Sequence, residues 1–404
     1  MFILTILYIM LLAAWILPIT LKVKQSVHML QLNSFRNEHY DRWMNTNRNK
    51  VFHMVELSFL LPLIVVVFTS TQALIFVAAI IVFVVTFIVF WKTKSTEYKK
   101  LVYSQRVQRL LATTHILYGV IACAAIVLMI FVPFVIVIIL LISSEVLAFY
   151  VVRLANTINE PIEARINQGI VNDAKRLMQA SPDLKIIGIT ESFSKTSVKH
   201  VVHAILSANY NVLVTPESYH TKLGVARIIN EQLKTNHDIF IAEMGAEQEG
   251  YIKEICDLLH QQVGVITPIE EQHLKTFTTV EEIKKIKHEI VETLSEKEGV
   301  AILNKDDDNM ISYKGNNSCR KVYYGIDAED LDLCASNIKY TASEMSFTVT
   351  LASGEVEIFR TKLLGEQNVY NTLAGIAVGL EMGLSLKQMV PSVKEMNPLT
   401  HRLE

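Results

Sequence analysis

The apolar residues of this 404-residue chain are spread so unevenly that they assign its two halves to different solvents. Phe2 to Leu21 is a nearly unbroken apolar run, long enough to cross a bilayer at about 20 residues per helix. A second apolar block runs from Val55 to Trp91, broken at Thr69-Ser70-Thr71-Gln72. A third extends from about Thr114 to Val152, with Pro133 at its midpoint. Each of these later blocks is about two spans long, so the reading is about five membrane helices. No basic residue precedes the first run and no small-residue cleavage site follows it, so it is not read as a signal peptide.

Charge sets the orientation. Lys22, Lys24, Arg36, Arg42, Arg48 and Lys50 lie between the first two spans. Lys92, Lys94, Lys99, Lys100, Arg106 and Arg109 lie between the third and fourth. The two tight breaks carry neither Lys nor Arg. By the positive-inside rule the basic segments are cytoplasmic and the N-terminus is outside. Five crossings then deliver the remainder of the chain to the cytoplasm. Glu145, inside the last span, is either a functional acid or one that reaches the cytoplasmic interface.

Beyond residue 152 the composition is that of an ordinary globular domain. The expected organisation is a membrane region over 1–152, a connecting helix over 153–183 and a globular domain over 184–404. Formal net charge is −2, which offers nothing to nucleic acid. The four cysteines (Cys123, Cys256, Cys319, Cys334) form no C-x-x-C pair and read as reduced thiols.

In the second half, β-rich runs alternate with helical stretches. The runs are Ile186–Thr190, Val212–Pro216, Ile239–Met244, Val263–Ile269 and Val300–Leu303. Between them fall helices over Thr196–Ser207, Val225–Leu233, Ile252–His260 and Glu281–Leu294. Such alternation predicts an α/β fold with a mostly parallel sheet covered on both faces. From Tyr323 to Leu364 the pattern turns to alternating, antiparallel-type strands, followed by a helix over Asn368–Met382.

The stretch Lys185–Ser197 carries the most chemistry. An apolar run ends in a loop that opens a helix with Lys195-Thr196, the layout of a phosphate-binding loop. Lys195 can reach the phosphates, Thr196 can place a hydroxyl on Mg²⁺, and the first N–H groups of the helix can cradle an anion. Ser192 and Ser197 flank the pair. Glu243 ends the run Asp238–Met244 and reads either as a metal-holding carboxylate or as a solvated strand-end acid. His273 is a metal or phosphate contact, or a plain loop histidine. Lys287 sits on an amphipathic stretch, where a solvated lysine is the ordinary case. Asn304 and Asp306-Asp307-Asp308 contact a nucleotide or make a polar turn.

The order of these segments resembles the ATP-binding central domain of the Mur ligases, closest to the MurF type. The loop T-G-S-x-G-K-T-S of that family stands here as Thr190-Glu-Ser-Phe-Ser-Lys-Thr-Ser197, and its E-x-G as Glu243-Met-Gly245. T-N-I-x-x-x-H-L appears as Thr267-Pro-Ile-Glu-Glu-Gln-His-Leu274, and A-K-x-E-I as Ile286-Lys-His-Glu-Ile290. L-N-x-D-D matches Leu303–Asp307, G-x-H-N-x-x-N matches Gly365–Asn371, and a closing R-x-E matches Arg402–Glu404.

The resemblance implies ATP and Mg²⁺ as cofactors and a place in peptidoglycan precursor metabolism at the bacterial cell membrane. In the family a substrate carboxylate attacks the γ-phosphate of ATP, and an amine displaces the resulting acyl phosphate. Carried over by motif, Lys195, Lys287 and His273 are catalytic. Ser192, Lys195, Thr196, Ser197, Asn304, Asn368 and Arg402 hold the nucleotide. Thr196, Glu243, His273 and Lys287 serve metal ions, Lys287 as a carbamate. The departures are Glu191 and Ser194 in place of loop glycines, Pro268 for an asparagine and Gln367 for a histidine. The sequence stops at Glu404, where the family's closing domain would begin, and apolar spans replace the domain for the UDP-sugar precursor. Three readings follow: a membrane-anchored ligase acting on a lipid-linked or nucleotide-linked precursor, a non-catalytic nucleotide-binding scaffold, or one half of a split ligase whose closing domain is a separate partner.

Overall fold

A computed structural model describes residues 2–52, 72–92, 100–190, 195–216, 219–245, 248–268 and 279–398. The chain divides into two compact units, Met1–Ile166 and Asn167–Glu404.

The first unit is helical: α1 (Phe2–Leu32), α2 (Asn37–Thr46), α3 (Arg48–Val51), α4 (Gln72–Lys92), α5 (Gln105–Phe131), α6 (Phe134–Val146) and α7 (Ala148–Gln179), the last running on past the division. Among the described residues, three helices, over Ile3–Leu32, Leu74–Lys92 and Gln105–Phe131, are long and apolar enough to cross a membrane. A bent pair, Phe134–Val146 with Ala148–Gln179 at 72°, is a fourth candidate. The expected second span falls on residues 53–71, outside the described residues. Pro133 marks the break between α5 and α6, as a residue without an N–H should.

Two charges depart from their sequence reading. Lys22, counted among the basic loop residues, lies inside α1 and is fully buried. Its ammonium sits 2.5 Å from Glu145 and over the Phe90 ring at 5.0 Å. Glu145 therefore does not reach an interface: it is buried and paired. An ion inside apolar surroundings needs such a partner, because desolvation otherwise makes it prohibitive.

The second unit is built on one nine-stranded sheet: β1 (Lys185–Thr190), β2 (Val212–Val214), β3 (Ile239–Met244), β4 (Val263–Ile266), β5 (Val300–Asn304), β6 (Arg320–Gly325), β7 (Leu333–Tyr340), β8 (Met345–Leu351) and β9 (Val356–Thr361), in the order β2-β3-β1-β4-β5-β6-β7-β8-β9. Between and after them come α8 (Lys195–Leu206), α9 (Lys222–Gln232), α10 (Tyr251–Leu259), α11 (Val280–Glu292), α12 (Asp308–Ile311), α13 (Glu366–Glu381) and α14 (Leu386–Glu395). Strands β1 to β7 pair parallel and β7 to β9 antiparallel. The antiparallel part thus starts one strand later than the alternation suggested. β6 lies parallel to both neighbours, overlapping β7 by two residue pairs only.

Helices cover both faces. On one side α8, α13 and α14 pack residues such as Val201, Ile205, Leu373 and Met389 against Ile187, Ile189, Ile241 and Phe347. On the other, α9, α10, α11 and the end of α7 meet Ile186, Phe240, Ala242 and Ala301. Burial on both faces is why β1 and β3 read as continuous apolar runs rather than alternating ones. Gly188 in β1 lets α11 come close, since a Cβ there would stand 2.7 Å from Met244 Cε and 3.0 Å from Ile290 Cδ1.

Candidate functional site

Parallel pairing brings the carboxyl ends of β1, β3, β4 and β5 to one edge. Thr190 registers with Met244 and with Ile266, and Ile266 with Leu303. The chain leaves all four strands at that edge, the side on which α/β sheets bind their ligands. Lys195, Thr196 and Ser197 form the first turn of α8, directly after the β1 loop. Its N–H groups lack helical partners and carry the positive end of the helix dipole. Ser192, with the rest of the loop at 191–194, lies outside the described residues, as do His273 and Arg402.

Glu243 is the fifth residue of β3, beside Ile189, and is buried. It is not a solvated strand-end acid. Its Oε2 accepts from Lys199 Nζ at 2.7 Å, and Nζ also donates to the Thr215 carbonyl at 2.8 Å. Both side chains are under a tenth exposed. Thr215 Oγ1 in turn accepts from the Glu243 N–H at 2.9 Å. Among the described residues, no hydrogen bond reaches the other carboxylate oxygen, Oε1. Sequence reasoning missed Lys199 and Thr215. The signal for Lys199 was a lysine one turn after Lys195, set among Val198, Val201 and Val202 on the buried face of the helix. His220 was also missed: its carbonyl accepts from Gly245 N–H at 2.9 Å, and its ring fills the space a Cβ at Gly245 would need.

Lys287 occupies the inner face of α11 with Ile283, Ile286 and Ile290 and is 1% exposed. The solvated-lysine reading is therefore replaced by a buried one. Asn304 ends β5, and its Oδ1 accepts from Asp306 N–H at 3.0 Å. Asp306 itself makes a turn: its carboxylate accepts from the N–H groups of Ile326, Asp327 and Ala328 and from the Tyr370 hydroxyl. Burial pushes its pKa up, but those donors outweigh burial and hold it below the usual aspartate value. Asp307 caps α12 by accepting from Asn309 N–H. Tyr370 thereby ties α13 to the β5 turn, and Asn368 lies in the first turn of α13. Gly365 at its N-cap has φ +101°, a conformation glycine adopts without strain.

Among the described residues no group of three or more His, Cys, Asp or Glu side chains forms a metal cluster. The Glu243 Oε1 atom fits one divalent cation, directly or through water. Lys287 as an ammonium has three donors and no acceptor, so it could serve a metal only after conversion to a carbamate. Among the described residues, the buried Thr190 Oγ1 at the end of β1 and Asn371 Oδ1 one turn into α13 lack hydrogen-bond partners. Buried polar atoms are seldom left so, and both fit a polar ligand such as a nucleotide.

Residues 189–379 match the Mur ligase middle domain. The UDP-N-acetylmuramoyl-tripeptide–D-alanyl-D-alanine ligase of Escherichia coli (strain K12) is 26% identical over 254 residues, covering 61% of this chain and 56% of that protein. The enzyme of the same name from Bacillus subtilis (strain 168) is 28% identical over 220 residues, 54% of this chain and 46% of that one. A crystal structure of MurF from Acinetobacter baumannii aligns with a TM-score of 0.53 at 25% identity, covering 59% of this chain and 51% of that one. MurF from Thermotoga maritima, solved in complex with ADP, shares the fold with a TM-score of 0.51 at 19% identity. The chain spans about half the length of the curated relatives it matches.

Proposed function

Taking as premise that residues 189–379 form a Mur ligase middle domain, we propose that the second unit binds ATP with Mg²⁺ along the carboxyl edge of its sheet. There it serves ATP-dependent amide-bond formation on a peptidoglycan precursor. One observation carries this reading: β1 ends at Thr190 and α8 begins at Lys195, with a buried carboxylate, Glu243, on the adjoining strand. In this reading Lys195 holds the phosphates, the first N–H groups of α8 cradle them, and Asn304, Asn368 and Arg402 face the nucleotide. Thr196 and Glu243 would hold Mg²⁺. When bound, the metal would neutralise charge on the transferring phosphoryl group. Lys287, as a carbamate with His273, would serve a second ion. The acceptor class is a peptide carboxylate of a nucleotide-linked or lipid-linked precursor.

The first unit is the anchor. We place it in the membrane as a multi-pass region, N-terminus outside, with the second unit in the cytoplasm. Cysteine-labelling of residues at both ends of α5 from either side of sealed vesicles checks that topology. Labelling of both ends from one side would overturn it.

Mg-ATP at saturating concentration should raise the melting temperature of the purified full chain, since a ligand at 100 times its Kd adds about 2.7 kcal/mol to the folded state. Lys195→Ala should abolish the shift. A shift that survives in Lys195→Ala means the loop is misassigned, and no shift at all removes the nucleotide from the reading. Glu191 and Ser194, in place of glycines, favour a second reading, a nucleotide-binding scaffold without turnover. Binding without phosphate release in the presence of precursor and amine would select it.

A further inference from the structure

Lys199–Glu243 differs from the exposed ion pairs recorded among the described residues of the second unit. Except for Lys284–Glu281, whose acid is solvated, they have both partners at least partly in water. Here both partners are under a tenth exposed, and the carboxylate is the one proposed to hold a cation. The ammonium is locked from two directions, by Thr215 O at 2.8 Å and Glu243 Oε2 at 2.7 Å. Thr215 also pins the Glu243 backbone. The acid is therefore held through Oε2, and among the described residues Oε1 takes no donor.

We infer that Lys199 is a positioning residue that makes Glu243 a ligand only for a cation arriving with a polyphosphate. The inference rests on the proposed nucleotide site. A free divalent ion approaching Oε1 meets a carboxylate whose charge is already balanced by an ammonium in contact with it. In a partly buried corner, unit charges a few ångströms apart interact strongly, so the repulsion from Lys199 offsets most of the attraction to Glu243. A nucleotide reverses this. Its phosphates supply the negative charge that the pair lacks, and Lys199 becomes an added attraction for the anion instead of a barrier to the metal.

Mn²⁺ binding to the full chain in detergent, followed by electron paramagnetic resonance, tests this without reference to turnover. The unaltered chain should hold no Glu243-dependent Mn²⁺ at about millimolar concentration alone and one Glu243-dependent Mn²⁺ with ATPγS. Lys199→Met should take up Mn²⁺ in the absence of nucleotide at least about tenfold more tightly than the unaltered chain. That gain should vanish in Lys199→Met/Glu243→Gln, and Lys199→Arg should behave as the unaltered chain. A merely structural role for Lys199 would weaken binding in both arms and create no new site. If the unaltered chain alone binds Mn²⁺ and Glu243→Gln removes it, the inference is wrong, and that comparison stands even where Lys199→Met does not fold. Absence of ATPγS binding in every variant would instead remove the proposed function, while the nucleotide-free measurements would still decide the role of Lys199.

Discussion

Replacing Asp306 by alanine should loosen the corner that joins β5, β6 and α13 while leaving the rest of the sheet intact. The carboxylate takes four donors: Ile326 N–H at 2.5 Å, Ala328 N–H at 2.7 Å, the Tyr370 hydroxyl at 2.9 Å and Asp327 N–H at 3.2 Å. A hydrogen bond to a charged group contributes about 1.5–3 kcal/mol. Asp306 is half-buried, so water can replace part of what is lost, and the sum must be discounted to about 2–4 kcal/mol. That corresponds to roughly a 30- to 1,000-fold loss of protection against local opening. Hydrogen exchange by mass spectrometry on peptides covering residues 320–330 and 366–375, with β8 as an internal control, reads it directly. The pH dependence has a definite sign. Because the folded pKa lies below the ordinary aspartate value, the contribution is fully present above that value and is lost as pH falls through the lowered one. Protection in the unaltered chain should thus hold at pH 5 and decline below about pH 4. Protection in Asp306→Ala within about threefold of the unaltered chain would show that backbone geometry alone holds the turn.

Thr215→Val leaves the Glu243 N–H buried without its acceptor and should cost about 1–3 kcal/mol, seen as a lower melting temperature in ligand-free protein. Lys22→Met strands the Glu145 carboxylate and should cost about 3–5 kcal/mol in detergent, whereas Lys22→Met/Glu145→Leu should recover most of it; a double variant as unstable as the single would refute the pairing. Burial pushes the Cys256 thiol up to about 12, so N-ethylmaleimide should fail to label it at neutral pH until denaturant is added.

The parallel sheet was legible because strands buried on both faces leave unbroken apolar runs, and β3 appears in the structure over Ile239–Met244 as expected. Strand β6 was harder. Its Arg320 and Lys321 are exposed at the start of the strand, so it lacks the unbroken apolar run of the other parallel strands. Helix α14 was not anticipated, yet Ser385-Leu-Lys-Gln388 forms a capping box that the sequence displays. At the candidate site, Glu243 and Lys195 were singled out by motif. Lys199 and Thr215 were not, because nothing local to either residue shows that a helix and two strands converge on one carboxylate. Lys287 and Glu145 were each given a solvated alternative on the ordinary expectation for charged side chains. Burial of a charge is decided by its partner, and only tertiary structure supplies that.

The strand order has a consequence for biosynthesis. β1 is made first but pairs with β3 on one side and β4 on the other. Both of its edges stay unpaired until residues 239–266 have left the ribosome, roughly 4–16 s later at ordinary elongation rates. The antiparallel meander β7–β9 faces no such wait, since each hairpin closes on its immediate neighbour. Nascent chains halted between β1 and β3 should therefore be the species most in need of chaperone cover. The segment they expose is the very one that later presents Thr190 and the head of α8 to a ligand.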